Sequence, residues 1–372
     1  MHCMKTYALL FLALCLSFSG LGQSSLNRPQ TPTPPFQYTI EEVTFKNIKD
    51  SVTLAGTLSF PDEGSNFPAA VLISGSGAQN RNEEIMGHKL FWVLADYLTK
   101  QGIAVLRYDD RGTAESTGNF KEALTQDFAR DVEAAVDFLN TRPEINKKAI
   151  GLIGHSEGGI IAPMVASNRP KDIGFIVLLA GVTIQGDEVM KLQKELSLRS
   201  MGSSESYIKQ EVLFDTELMS IITTTPLENL AESLKTFTKD YVSKHPDFAK
   251  NKGMTPEVYT NTIVTSYTSP WFYNMLNYNP AEALKNTHCP ILALNGENDT
   301  QVPSKENLEA LEQLKSSYPE KNITTKSYPK LNHLFQESTT GSVFEYGRIE
   351  QTIAPYVMVD ISTWINTVVK KM

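Results

Sequence analysis

Between Ala69 and Gly181 the chain alternates two kinds of segment, and that alternation constrains its fold more than any other feature. Unbroken apolar runs, "AAVLIS", "IAVLRYD", "AIGLIGHS" and "IGFIVLLAG", are separated by amphipathic runs of helical period, "KLFWVLADYLTKQG", "LTQDFARDVEAAVDFLNTRP" and "GGIIAPMVASNRP". A short run of Val, Ile and Leu without polar alternation suits a strand buried on both faces, and a helix between two such strands supplies the crossover of a parallel sheet. The expected fold class is therefore α/β, with a mostly parallel central sheet flanked by helices.

Upstream, "EEVTFKN" and "VTLAGTLSFP" read as two paired strands joined by the turn "NIKDS". After Gly181 the alternation stops for about 105 residues, far more than a crossover requires. Segments such as "EVMKLQKELSLRSMG" and "LENLAESLKTFTKDYVSK" are helix-like there, so a helical cap inserted over one sheet edge is expected. The strand pattern resumes at "CPILALNGEND" and continues through the helix "KENLEALEQLKSS", the strand "ITTKSYP" and the helix "VMVDISTWINTVVKK". The expected organisation is a core over residues 37–182 and 281–372, interrupted by a cap over residues 183–280.

The N-terminus is read separately. Lys5, the apolar run "YALLFLALCLSF" and the small residues Gly20 and Gly22 have the pattern of a secretory signal peptide, residues 1–22, which predicts an exported protein, periplasmic or secreted. The run is shorter than the roughly 20 apolar residues a bilayer span needs, so no membrane insertion is expected. A lipid-anchored variant through "LALC" at Cys15 is the alternative, with Leu14 a poor residue before a modified cysteine. Residues 23–36 are proline-rich and aperiodic, which predicts a flexible linker. Cys3 and Cys15 fall in the leader, leaving Cys289 alone and no internal disulfide. The 34 basic and 42 acidic residues give a charge of −8, or −9 without Lys5, and no basic cluster marks a nucleic-acid surface.

The chemistry is concentrated at Gly154-His155-Ser156-Glu157-Gly158, a G-x-S-x-G pattern that a chain of this length meets by chance about one time in ten. Its context is more specific. The serine stands between a buried strand and a helix, where a sharp turn holds it in a strained conformation and small neighbours avoid collision. The Glu157 N–H, opening the helix, can face a developing oxyanion. A serine hydroxyl needs a base and the base an orienting acid, in the chain order serine, acid, histidine for this turn. Asp299 follows the strand that resumes after the insertion, with Glu297 as the alternative acid. Among the histidines, only His333 follows the acid and a strand end. A second oxyanion donor is expected in the glycine loop after "AAVLIS", from Ser76 or alternatively Gly77. No H-E-x-x-H or similar ligand cluster is present, so no metal is expected.

Taken with "LISGSGAQNRNE", "GHKLFWVLADYL", "VLRYDDRGTAEST", "SPWFYNMLNYNP" and "LNHLFQ", these features resemble the α/β-hydrolase superfamily from Glu41 onward. The narrower resemblance is to capped bacterial carboxylesterases, also described as serine-aminopeptidase-like hydrolases. It implies hydrolysis of small-molecule esters by Ser156, Asp299 and His333 without a cofactor, with a peptidase as the alternative. The chain departs from those relatives at Ala78, Asn80 and Asn82, where they favour proline and two aspartates, and at Ala114, where they favour glycine. Asp110 and Arg111 read as a structural ion pair. Gln79, Trp271 and Phe272 are candidate pocket residues, although the two aromatics suit core packing equally well.

Overall fold

The structure is a computed structural model that describes residues 27–372. The expected signal peptide, residues 1–22, and the first four residues of the expected linker lie outside the described residues.

The strands β1 (Thr39–Asn47), β2 (Val52–Phe60), β3 (Phe67–Ile73), β6 (Ala104–Tyr108), β7 (Ile145–His155), β8 (Phe175–Leu179), β9 (Ile291–Gly296) and β10 (Ile323–Tyr328) form one sheet. The short strands β4 (Glu84–Ile85) and β5 (His88–Lys89) form a separate hairpin. The order in the large sheet is β1-β2-β6-β3-β7-β8-β9-β10. β2 runs antiparallel to β1 and β6, and the remaining pairs are parallel. Every residue of β6, β8 and β9 is buried, which is why these segments contain no polar alternation.

The crossover helices are α1 (Leu90–Lys100), α2 (Thr125–Thr141) and α3 (Gly158–Asn168). The helical unit contributes α4 to α9, described below, after which come α10 (Ala281–Asn286), α11 (Ser304–Ser317), the single turn α12 (Val343–Tyr346) and α13 (Pro355–Val369). α3 packs on α2 and α10, while α1 packs on α13. From β3 the chain crosses to β6 on one side and then to β7 on the other, so the C-terminal ends of β3 and β7 flank a topological switch point, where α/β sheets place their sites.

Residues Gln185–Tyr278 form a second compact unit, entirely helical: α4 (Gly186–Ser200), α5 (Glu205–Thr224), α6 (Leu227–Lys244), α7 (Pro246–Asn251), α8 (Pro256–Tyr267) and α9 (Pro270–Asn277). Ser204, Thr255 and Ser269 cap α5, α8 and α9 by accepting a backbone N–H, and Pro256 and Pro270 open their helices where no N–H is needed. The unit has its own core around Phe214, Leu218, Leu230, Leu234 and Phe248. Inside it Lys252 is ion-paired with Glu211, and its ammonium lies 4.0 Å from the centre of the Phe248 ring. Thr183 stays with the α/β unit, because its N–H donates to Asn307 Oδ1 (2.8 Å) and its hydroxyl to the Asn307 carbonyl (2.6 Å).

The described part of the expected flexible linker is not free. Arg28 donates to the carbonyls of Met86 (3.0 Å), Gly347 (3.0 Å) and Ile349 (2.8 Å), and Gln30 bonds the backbone of Thr352 and Ile353. Proline-rich sequence carries no periodic signal, so side-chain bonds to distant carbonyls anchor this stretch without leaving a pattern. Among the described residues, no helix is long and apolar enough to cross a membrane.

Candidate active site

Ser156 stands directly after β7 with φ of +55°, the left-handed region that costs a non-glycine residue about 1–3 kcal/mol. The turn that imposes this conformation is closed by glycines. A Cβ on Gly154 would meet the Gly158 carbonyl oxygen at 2.0 Å, and one on Gly158 would meet the Ile73 oxygen at 2.2 Å. Gly154 is therefore a steric requirement of the turn itself, and Gly158 of its close approach to the end of β3. The Ser156 and Glu157 carbonyls accept the N–H groups of Gly159 (2.9 Å) and Ile160 (2.8 Å), starting α3 at once.

Asp299 follows β9 and is buried. Its Oδ1 accepts the N–H groups of Gln301 (2.8 Å) and Val302 (2.9 Å), and its Oδ2 lies 2.8 Å from His333 Nδ1. A carboxylate already accepting two amides holds the imidazole in the tautomer with Nδ1 protonated, leaving Nε2 as the basic nitrogen. Glu297, the alternative acid, is exposed and accepts the Ser327 hydroxyl at 2.7 Å, so it takes no part in this pair. Asn332 shapes the histidine loop, its Oδ1 accepting the N–H groups of Leu334 (3.0 Å) and Gln336 (2.9 Å).

The histidine loop meets the serine turn through His155. Its Nε2 lies 3.0 Å from the His333 carbonyl oxygen, and the two imidazole rings are 4.7 Å apart. The glycine loop after β3 meets the same turn, since a Cβ on Gly75 would come within 3.0 Å of Ser156 Cβ. The fold thus gathers three loops, after β3, after β7 and after β10, around Ser156.

The loop of Gly75 to Gln79 is held from behind by three buried acidic side chains. Glu83 Oε1 accepts the Gly75 N–H at 2.7 Å. Glu157 accepts the hydroxyls of Ser76 (2.8 Å) and Thr125 (2.7 Å). Asp110 accepts the Ser74 hydroxyl (2.7 Å) and the Gln79 N–H (2.9 Å), and burial pushes its carboxyl well above the usual carboxylate range, with Glu83 and Glu157 adding to the effect. Among the described residues, no hydrogen bond occupies the N–H of Ser76 or Gly77, so each can face a ligand, whereas the Gly75 N–H cannot. Burial works against a charge on His155, yet Glu83 beside it raises its pKa.

One reading of the sequence changes here. Asp110 and Arg111 do not pair with each other: Arg111 binds Asp131 (2.7 Å) and Asp50 (2.8 Å), while Asp110 is taken up by Ser74 and Gln79. Phe272 lies in the core of the helical unit, 5.1 Å from Tyr267 between ring centres, and Trp271 packs against the same cluster. Gln79 lies in the glycine loop with its amide donating back to the Ser76 carbonyl at 3.2 Å, so it stabilises the loop. Glu83 and the carboxylate of Glu157 received no role from the sequence. Glu83 closes the run "LISGSGAQNRNE", and only its place there could have drawn notice.

A doubly wound sheet with a strained serine after one strand, a paired acid and histidine after two others, and a glycine loop beside the serine defines the α/β-hydrolase class. Within that class the chain belongs to the family described as serine aminopeptidase, S33, whose model matches residues 88–338. It is 25% identical over 316 residues to esterase EstD of Thermotoga maritima, an alignment covering 84% of this chain and 65% of that one. A human mitochondrial palmitoyl-protein thioesterase is 26% identical over 132 residues, 33% of this chain and 40% of its own. The chain thus spans less than two thirds of the length of these curated relatives. Among solved structures, the Pyrococcus furiosus esterase Pf2001 superposes with a TM-score of 0.53 at 16% identity, covering 94% of this chain and 99% of that one. A hypothetical protein from Pseudomonas aeruginosa gives the same score and coverage at 19% identity. These structural likenesses concern the fold.

Proposed function

We propose that this chain is a serine hydrolase that cleaves carboxylic esters with short to medium acyl chains. Ser156 Oγ attacks the ester carbonyl while His333 Nε2 takes its proton, and Asp299 steadies the imidazolium. The N–H groups of Glu157 and Ser76 receive the oxyanion, each such donor contributing about 3–4 kcal/mol to the transition state. The imidazolium then protonates the departing alcohol, and water activated by His333 releases the acyl group from Ser156. The observation that carries this reading is the buried Asp299–His333 pair at 2.8 Å, joined through His155 to a serine at φ +55°. The naming of the Thermotoga maritima relative as an esterase supports ester chemistry.

The family's description favours a second reading, an aminopeptidase using the same three residues. Rates on p-nitrophenyl esters from acetyl to decanoyl, set beside rates on amino-acid anilides, decide between them. The ester reading expects turnover of the short and medium esters that disappears in Ser156→Ala, with anilides inert, and turnover confined to anilides overturns it. We also propose export, on the strength of Lys5 and the apolar run after it. A protein recovered with residue 1 intact from the cytoplasm of its native host overturns that part.

A further inference from the structure

Glu83 and His155 connect two loops that the proposed reaction uses separately. A single atom, Glu83 Oε1, lies 2.7 Å from the Gly75 nitrogen and 2.8 Å from His155 Nδ1. On its other side His155 reaches the His333 carbonyl oxygen at 3.0 Å. Because a carbonyl oxygen only accepts, His155 Nε2 carries a proton, and the second proton of the pair lies between Nδ1 and Glu83. Both side chains are 1% exposed.

Two features argue that this arrangement is kept for something other than stability. Glu83 sits at φ of +46°, a strained conformation for a residue with a side chain. Its second oxygen, Oε2, is buried and makes no hydrogen bond among the described residues. A carboxylate placed only to stabilise the fold would not carry both costs.

We propose that Glu83 and His155 are positioning residues, a hydrogen-bonded strut that holds the oxyanion loop at Gly75 and the base loop at His333 in one register against Ser156. The proposal rests on the serine-hydrolase reading. With the Gly75 N–H tied back, the loop turns the next two amides toward the reacting carbonyl. With the His333 carbonyl tied to the residue before the nucleophile, the imidazole keeps its distance from the Ser156 hydroxyl. Neither residue touches substrate, so their removal acts on the rate of the bound complex more than on binding.

A glutamine at position 83 cannot replace the carboxylate. Its oxygen at the shared position leaves an imidazolium without a counter-charge, and its nitrogen there faces the Gly75 N–H.

The test compares the purified wild type, Glu83→Gln, His155→Gln and the double variant, with kcat and KM on p-nitrophenyl acetate and the fluorophosphonate labelling rate of Ser156, all per folded molecule by near-ultraviolet circular dichroism. Wild-type turnover and labelling at Ser156 establish the underlying reading first, and their absence sinks that reading instead. Each single variant is expected to lose about 100-fold in kcat and in labelling rate, with KM within about 3-fold. The double variant is expected to lose no more than the worse single, as residues acting in one chain do. It leaves no unpaired charge, so its kinetics decide the matter if a single variant does not fold. A kcat within about 3-fold of wild type, a loss carried by KM, or losses that multiply in the double variant overturn the proposal.

Discussion

Asp299 Oδ2 and His333 Nδ1 lie 2.8 Å apart, and the other oxygen of the same carboxylate is fully occupied by two backbone amides. The acid therefore has one free direction, toward the imidazole. Asp299→Asn keeps the shape but offers an amide that favours the wrong histidine tautomer, so kcat for ester hydrolysis is expected to fall about 10⁴-fold. Glu297→Gln, altering an exposed side chain bonded to Ser327, is expected to stay within about 2-fold of wild type. Steady-state kinetics on both variants check the assignment, and the reverse pattern would transfer the role to Glu297.

The strain at Ser156 has a thermodynamic signature. Ser156→Gly and Ser156→Ala both remove the nucleophile, but only glycine occupies φ +55° without penalty. The glycine variant is expected to exceed the alanine variant in stability by roughly 0.5–1 kcal/mol, after allowing for the extra freedom of unfolded glycine. Paired urea melts measure the difference, and an alanine variant equal to or above glycine would refute strain at the turn.

Two buried histidines bound stability in pH from opposite sides. His88 is held between Thr352 and the Tyr346 carbonyl, and burial pushes its pKa down to about 4. Between about pH 6.5 and 4 the unfolded chain takes up a proton that the folded one refuses, so this contribution is complete above about 6.5 and declines as pH falls. His155 behaves inversely. With its pKa raised, its contribution is complete below about 6.5 and is lost as pH rises through the folded value. Thermal melts from pH 5 to 9 should show both limbs. His88→Gln is expected to flatten the acid limb and His155→Gln the alkaline one, and limbs that persist in these variants would assign them to other groups.

In the helical unit, Lys252 and Glu211 are paired where both are buried. Lys252→Met leaves Lys194, 3.9 Å away, as the nearest cation to Glu211 among the described residues, and is expected to destabilise the protein by about 3–5 kcal/mol. Adding Glu211→Leu removes the stranded charge and is expected to recover most of that loss. Urea melts of the single and double variants test this, and a double variant as unstable as the single would show that the loss comes from packing around Phe248.

The core sheet was legible because its central strands run through segments buried on both faces, and that burial excludes polar residues from "AAVLI" and "FIVLL". The serine turn was legible in part because Gly154 answers to a collision with Gly158, four residues on, whereas Gly158 answers to the distant end of β3 at Ile73. The Arg28 anchor, the partners of Arg111 and the strut of Glu83 and His155 were not. Each joins residues far apart in the chain through one or two side-chain bonds, which impose no period on the sequence.

The sequence by itself determined the fold class, the serine turn and the order of the acid and histidine, because local sterics and two-sided burial write those features as short patterns. Only the tertiary structure decided that Asp299 rather than Glu297 faces the histidine, and that Phe272 belongs to a core. It also decided that Gly75 and His155 meet at one carboxylate oxygen of Glu83, and that His155 reaches the His333 carbonyl on its other side. Those outcomes depend on directions and distances between loops that come together only when the sheet closes its register, and a one-dimensional pattern carries neither.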